Sequence, residues 1–112
     1  MQKLTQKIID YIKAKSYYNY QQWHIGLTDD IKKTKREYQS TNKIVCEYVK
    51  TWPCQNKKQA KQILKELSVL DFTICDKNDY SVIFTFLAIS KKSHKVWKLL
   101  NKNKKSDFLI LK

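Results

Sequence analysis

The chain predicts an α+β domain: a small three- or four-stranded, mainly antiparallel sheet flanked by helices. Three observations carry that prediction. The run VIFTFLAI, residues 82–89, is apolar on both faces, as a central strand requires. Ala60, Ile63, Leu64, Leu67 and Leu70 recur at helical spacing and make one apolar stripe. Trp23, Ile25 and Leu27 alternate with His24 and Gly26, the pattern of a strand with one buried face. At 112 residues the chain is one domain, 1–112, without room for a second core.

Leu4, Ile8, Tyr11 and Ile12 predict an amphipathic helix over residues 3–15, lying across the sheet. Residues 16–22, SYYNYQQ, have no apolar period and read as an ordered loop or an irregular edge strand. Their tyrosines either pack or stack on exposed bases. After the strand at Trp23, Thr28 or Asp29 caps a basic helix over about residues 29–39. Its apolar stripe is only Ile31 and Tyr38, so its burial is shallow. KIVCEYVKTW, residues 43–52, is β-branched and aromatic, and Pro53 ends it as a strand. Asn56 caps the helix of residues 56–70, from which Lys57, Lys58, Lys61 and Lys65 turn outward. A polar turn at residues 76–79 leads into the central strand, whose two faces the first and third helices can cover. Ser93 opens a last helix with Val96, Trp97, Leu99 and Leu100 inward and Lys92, Lys95, Lys98 and Lys102 outward. The tail from Ser106 alternates weakly, as an edge strand, a docking segment or disordered chain. The domain thus divides into an N-terminal helix and tyrosine-rich loop (1–19), a core (20–90) and a C-terminal basic helix and tail (91–112).

Twenty-three basic residues against 10 acidic give a formal charge of +13. Such an excess favours polyanionic partners, here nucleic acid, RNA or DNA, or a nucleic-acid-bound protein. The competing explanation is compositional, since Lys, Asn, Ile and Tyr are all abundant. Candidate contact residues are Lys32, Lys33, Lys35, Arg36 and Tyr38 on the basic helix, His24 on the strand before it, and Lys57, Lys58 and Lys61 on the next helix. The three cysteines, Cys46, Cys54 and Cys75, form no Cys-x-x-Cys pair, and with His24 and His94 they match no zinc module. The expectation is no metal, no small-molecule cofactor and a reducing cytoplasm. No run is long enough to span a bilayer, and the amphipathic first residues are no leader, so a soluble, unprocessed protein is expected. Gly26, the sole glycine, lies inside a strand, where it is costly unless a phosphate or a packed helix must approach bare backbone.

The stretch WHIGLTDDIKKTKREY, residues 23–38, resembles the second motif of the GIY-YIG nuclease domain, a strand ending Tyr-Ile-Gly followed by a polar turn and a helix. Here it reads His24-Ile25-Gly26. The resemblance places the family tyrosine on His24, its catalytic arginine on Thr34 and its usual histidine on Tyr38. Further on, Ala60-Lys61-Gln62-Ile63-Leu64 corresponds to the segment carrying the metal-binding glutamate, which falls on Leu64. The order of elements matches over residues 20–90, while every catalytic position departs from the family, and no Gly-Ile-Tyr tripeptide precedes it near Tyr17, Tyr18 or Tyr20. His24 could replace the tyrosine as a base. Thr34 supplies no charge and Leu64 binds no metal; at about 100° per residue, Lys33, Lys35 and Arg36 point away from Thr34, and Glu66 points away from Leu64. The resemblance therefore implies a degenerate GIY-YIG-like fold that binds without catalysis. Two alternatives stand beside it: a small phage or mobile-element inhibitor of a host nucleic-acid-guided defence nuclease, of anti-CRISPR type, and a divergent GIY-YIG nuclease.

Overall fold

Nine residues without a charged side chain, Val82–Ser90, form β4, an inner strand of the sheet. The computed structural model describes residues 1–15, 22–75 and 79–102. The tyrosine-rich segment of residues 16–21, most of the polar turn (76–78) and the tail from Ser106 lie outside them. Along the chain run α1 (Lys3–Lys15), β1 (Trp23–Thr28), α2 (Ile31–Asn42), β2 (Ile44–Pro53), α3 (Lys57–Leu67), β3 (Thr73–Cys75), β4 and α4 (Lys91–Lys102). The strand order is β2-β4-β1-β3. β4 pairs antiparallel with β1 and β2, whereas β3 joins β1 in parallel, so the α+β sheet is mainly antiparallel and mixed only at one edge.

Alternation along β4 divides the core in two. Ile83, Leu87 and Ile89 face one way with Trp23, Ile25 and Leu27, and onto that first face pack Ile8 and Ile12 of α1 and Ala60, Ile63, Leu64 and Leu67 of α3. Burying each of these leucines and isoleucines contributes about 1.5–3 kcal/mol. Phe84 and Phe86 face the other way with Cys46, and Ile31 and Tyr38 of α2 pack against them. The expectation that the first and third helices cover both faces is thereby corrected: they share one face, and the second helix covers the other. A thin apolar stripe suffices for α2 because Ile31 and Tyr38 meet a cluster made by Phe84 and Phe86 of β4 with Ile44, Cys46 and Val49 of β2.

The caps follow local chemistry with small shifts. Asn56 caps α3, accepting from the Gln59 backbone N–H at 2.8 Å, and Gln59 in return accepts from the Gln55 backbone N–H. Asp30, not Thr28 or Asp29, caps α2, accepting from the Lys33 backbone N–H; the Thr28 hydroxyl instead accepts from the Asp30 N–H. α4 begins at Lys91, before the expected Ser93, because the Ser90 hydroxyl accepts the Ser93 N–H. A second correction concerns α4's apolar residues. Trp97 packs against the first core, but Val96 and Leu99 are 58% and 61% exposed. Trp97 and His94, three residues apart, form the inner side of α4, and the His94 ring meets the Glu47 carboxylate at 2.7 Å. Val96 and Leu99 lie around the helix from that side and have no element above them among the described residues.

β2 is bent by a bulge between Glu47 and Lys50, where three steps on β2 oppose two on β4. Tyr48 takes a left-handed backbone there, with φ 53°. The extra residue resets the alternation, so Cys46 belongs to the second core while Trp52 enters the first and donates its Nε1–H to Thr85.

Candidate nucleic-acid interface

The basic helix α2 is seated on the second face through a tight aromatic layer. The Phe84 and Phe86 rings stack at 5.7 Å, and Tyr38 meets both edge-on. Gly26 makes the layer possible. A Cβ there would come within 2.6 Å of the Cys75 carbonyl oxygen and 2.7 Å of the Phe84 ring. Neither a phosphate nor a helix accounts for this glycine; a neighbouring ring and strand backbone do.

His24 stacks on Phe86 at 5.2 Å, nearly parallel, and meets Tyr38 edge-on at 5.7 Å. Its Nδ1 is buried without a hydrogen-bond partner among the described residues. Burial pushes the imidazole below its ordinary value, so the ring is neutral at physiological pH. Tyr38 donates its O–H to the Cys75 sulfur, and burial, then that bond, pushes its phenol well up. Burial likewise pushes the Cys46 thiol up to about 11, against the opposing pull of Lys35. The inner side of α2 is thus a layer of neutral groups. A pH dependence follows with a definite sign. The unfolded chain takes up a proton near the ordinary imidazole value while folded His24 resists it. Stability is therefore retained above about pH 6.5 and falls as pH drops below it, by at most about 1.4 kcal/mol per unit. Urea denaturation from about pH 7.5 to pH 5 should show His24→Phe losing less stability than the parent chain; parallel curves would refute this assignment.

The positions that the GIY-YIG resemblance singles out do not all converge. Those at His24, Thr34 and Tyr38 share the second face with α2. Thr34 has a structural partner, its hydroxyl 2.7 Å from that of Thr28, which ties α2 to the end of β1. Leu64 lies in the first core, across the sheet from His24. Glu66 accepts from the Thr5 hydroxyl and the Gln2 backbone N–H, binding α3 to the start of α1. Glu47 sits opposite Leu87 in the ladder, hence on the first face, where it meets His94. Among the described residues no group of three or more His, Cys, Asp or Glu side chains is arranged to hold a metal ion.

On the outer side of α2, Lys32, Lys33 and Arg36 are exposed, and Lys35 is half-buried near Cys46. No ion pair engages these four among the described residues. On α3, by contrast, exposed Lys61 and Lys57 lie 2.8 and 3.8 Å from Asp79, and Lys58 is exposed beside them. Because α2 and α3 cover opposite faces, the two lysine sets form separate patches. A further group of cations escaped sequence reading. Lys15 lies over the Tyr11 and Tyr48 rings, and Lys50 lies 4.7 and 4.5 Å from the Tyr11 and Trp52 ring centres. Nothing local in the sequence brings the end of α1 onto β2; the packing of α1 on the first face and the bulge at Tyr48 do.

Compared with known proteins, the chain matches no family model, no curated protein and no solved structure. Cys46, Cys54 and Cys75 are free thiols. No helix among the described residues is long and apolar enough to cross a membrane.

Proposed function

We propose that this chain is a non-catalytic, basic binding protein that engages nucleic acid, or a protein–nucleic-acid complex, through the outer side of α2 on a degenerate GIY-YIG-like domain. The observation that carries this reading is the set Lys32, Lys33 and Arg36: exposed, without acidic partners among the described residues, and mounted on a helix held by Phe84 and Phe86. Cations so placed neutralise phosphates at little ordering cost, since the helix beneath them is already fixed. The absence of catalysis is supported by Thr34 and Leu64, which can supply neither the positive charge nor the metal ligand of phosphodiester hydrolysis. Glu66 and Glu47 are committed to other contacts. The inhibitor reading, in which a host nuclease and its guide are the target, is favoured by the apolar residues that α4 exposes.

The test is Lys32→Glu with Arg36→Glu, measured against single- and double-stranded DNA and RNA at several salt concentrations. Affinity should fall at least about tenfold, and the slope of log affinity against log salt should flatten by roughly two for duplex DNA. Circular dichroism should be unchanged, because both side chains are exposed. Equal losses from Lys102→Glu with Lys104→Glu would mean diffuse attraction and would refute the α2 site. Incubation with magnesium or manganese should leave every substrate intact; nicking abolished by His24→Ala would overturn the non-catalytic reading.

A further inference from the structure

α4 carries a second kind of surface, which the charge on α2 does not explain. Val96 and Leu99, three residues apart, are exposed side by side. Lys92 and Lys95 lie one turn before them, at i−4 from each, so two cations border the apolar pair. Beside Val96 opens a half-open pocket of about 560 Å³ between α4 and the end of β4, where Ala88, Ile89, Val96 and Trp97 supply apolar walls and Gln22, Ser90, Lys92 and Ser93 polar ones. That volume accommodates a bulky apolar side chain. α4 contains no acidic residue, and its first turn carries Lys91 and Lys92 at the positive end of the helix dipole, where anions are favoured.

We infer that this face is a docking site for an acidic, amphipathic segment of a partner protein, with an apolar anchor in the cavity beside Trp97 and carboxylates on Lys92 and Lys95. Each part of the surface selects that chemistry. Covering Val96 and Leu99 requires apolar atoms, which a phosphate backbone does not offer, so nucleic acid is the poorer occupant. A second copy would bring α4's lysines against another chain of charge +13, so self-association is opposed. The chain's own residues 106–112, SDFLILK, carry a single acidic side chain, Asp107, and match the lysine border poorly.

The probe is a fluorescent amphipathic helical peptide of about five turns, with a leucine stripe bordered by glutamates. Its controls are the same peptide with lysines for glutamates, and polyglutamate of equal length. The full chain should bind the acidic amphipath at micromolar levels and both controls far more weakly. Val96→Ser with Leu99→Ser should weaken that binding at least about tenfold, and Lys92→Glu with Lys95→Glu should reverse the preference toward the basic peptide. Unchanged circular dichroism should accompany both. Equal binding of the acidic and basic amphipaths would overturn the charge assignment, and equal binding of polyglutamate would overturn the apolar one. A photo-crosslinking amino acid in place of Val96 gives an independent readout: capture of the acidic peptide supports the site. Capture of residues 103–112, of a second copy or of an oligonucleotide overturns it.

Discussion

Leu64→Glu is expected to destabilise the protein by about 4 kcal/mol at neutral pH and to confer no cleavage. It is the change that would place a glutamate at the position the GIY-YIG resemblance indicates. Leu64 is only 5% exposed and lies among the side chains of α1, α3 and β1. A carboxylate there loses its hydration among apolar side chains, so its folded pKa must rise above the unfolded value. The sign is then fixed: the charge penalty grows as pH rises above the unfolded carboxyl value and vanishes below it. Leu64→Gln removes the same apolar surface without a titrating group. The two variants should therefore have similar urea midpoints near pH 4 and diverge by neutral pH, with the glutamate less stable. A Leu64→Glu protein as stable as its parent at neutral pH, with metal-dependent nicking, would show that this position opens onto a catalytic surface.

Gly26→Ala is expected to cost about 3 kcal/mol, a large effect for one methyl group. The new Cβ meets two obstacles of different kinds, the Cys75 carbonyl oxygen at 2.6 Å and the Phe84 ring at 2.7 Å. The ring is held by Phe86 and Tyr38, and the carbonyl belongs to β3, whose pairing with β1 would have to shift. Phe84→Leu should relieve the ring contact alone. In a double-mutant cycle the pair should be less destabilising than the sum by at least about 1 kcal/mol. A neutral Gly26→Ala would remove the packing explanation for the glycine and return phosphate approach as its purpose.

Local periodicity determined much of this protein. The stripes of α1 and α3, the double-faced apolar run of β4, the Asn56 cap and the lysines exposed on α2 all depend on residues within a few positions of one another. Hydrophobic spacing and capping chemistry act at that range, so they are legible in the chain. The candidate site depended on more. β3 is three residues long, too short for any period, and exists only because β1 offers it an edge. Simple alternation would put Cys46 and Trp52 of β2 on one face, yet the Tyr48 bulge sends them to opposite cores and creates the surface that Lys15 and Lys50 overlie. The spacing of Val96 and Leu99 makes an apolar stripe, but that stripe faces solvent because α4 docks through Trp97 and His94 instead. Periodicity specifies which side chains share a face of one element. Which element covers that face is settled by long-range packing, and that packing set Leu64 and His24 on opposite faces of the sheet and left α2 with its cations outward.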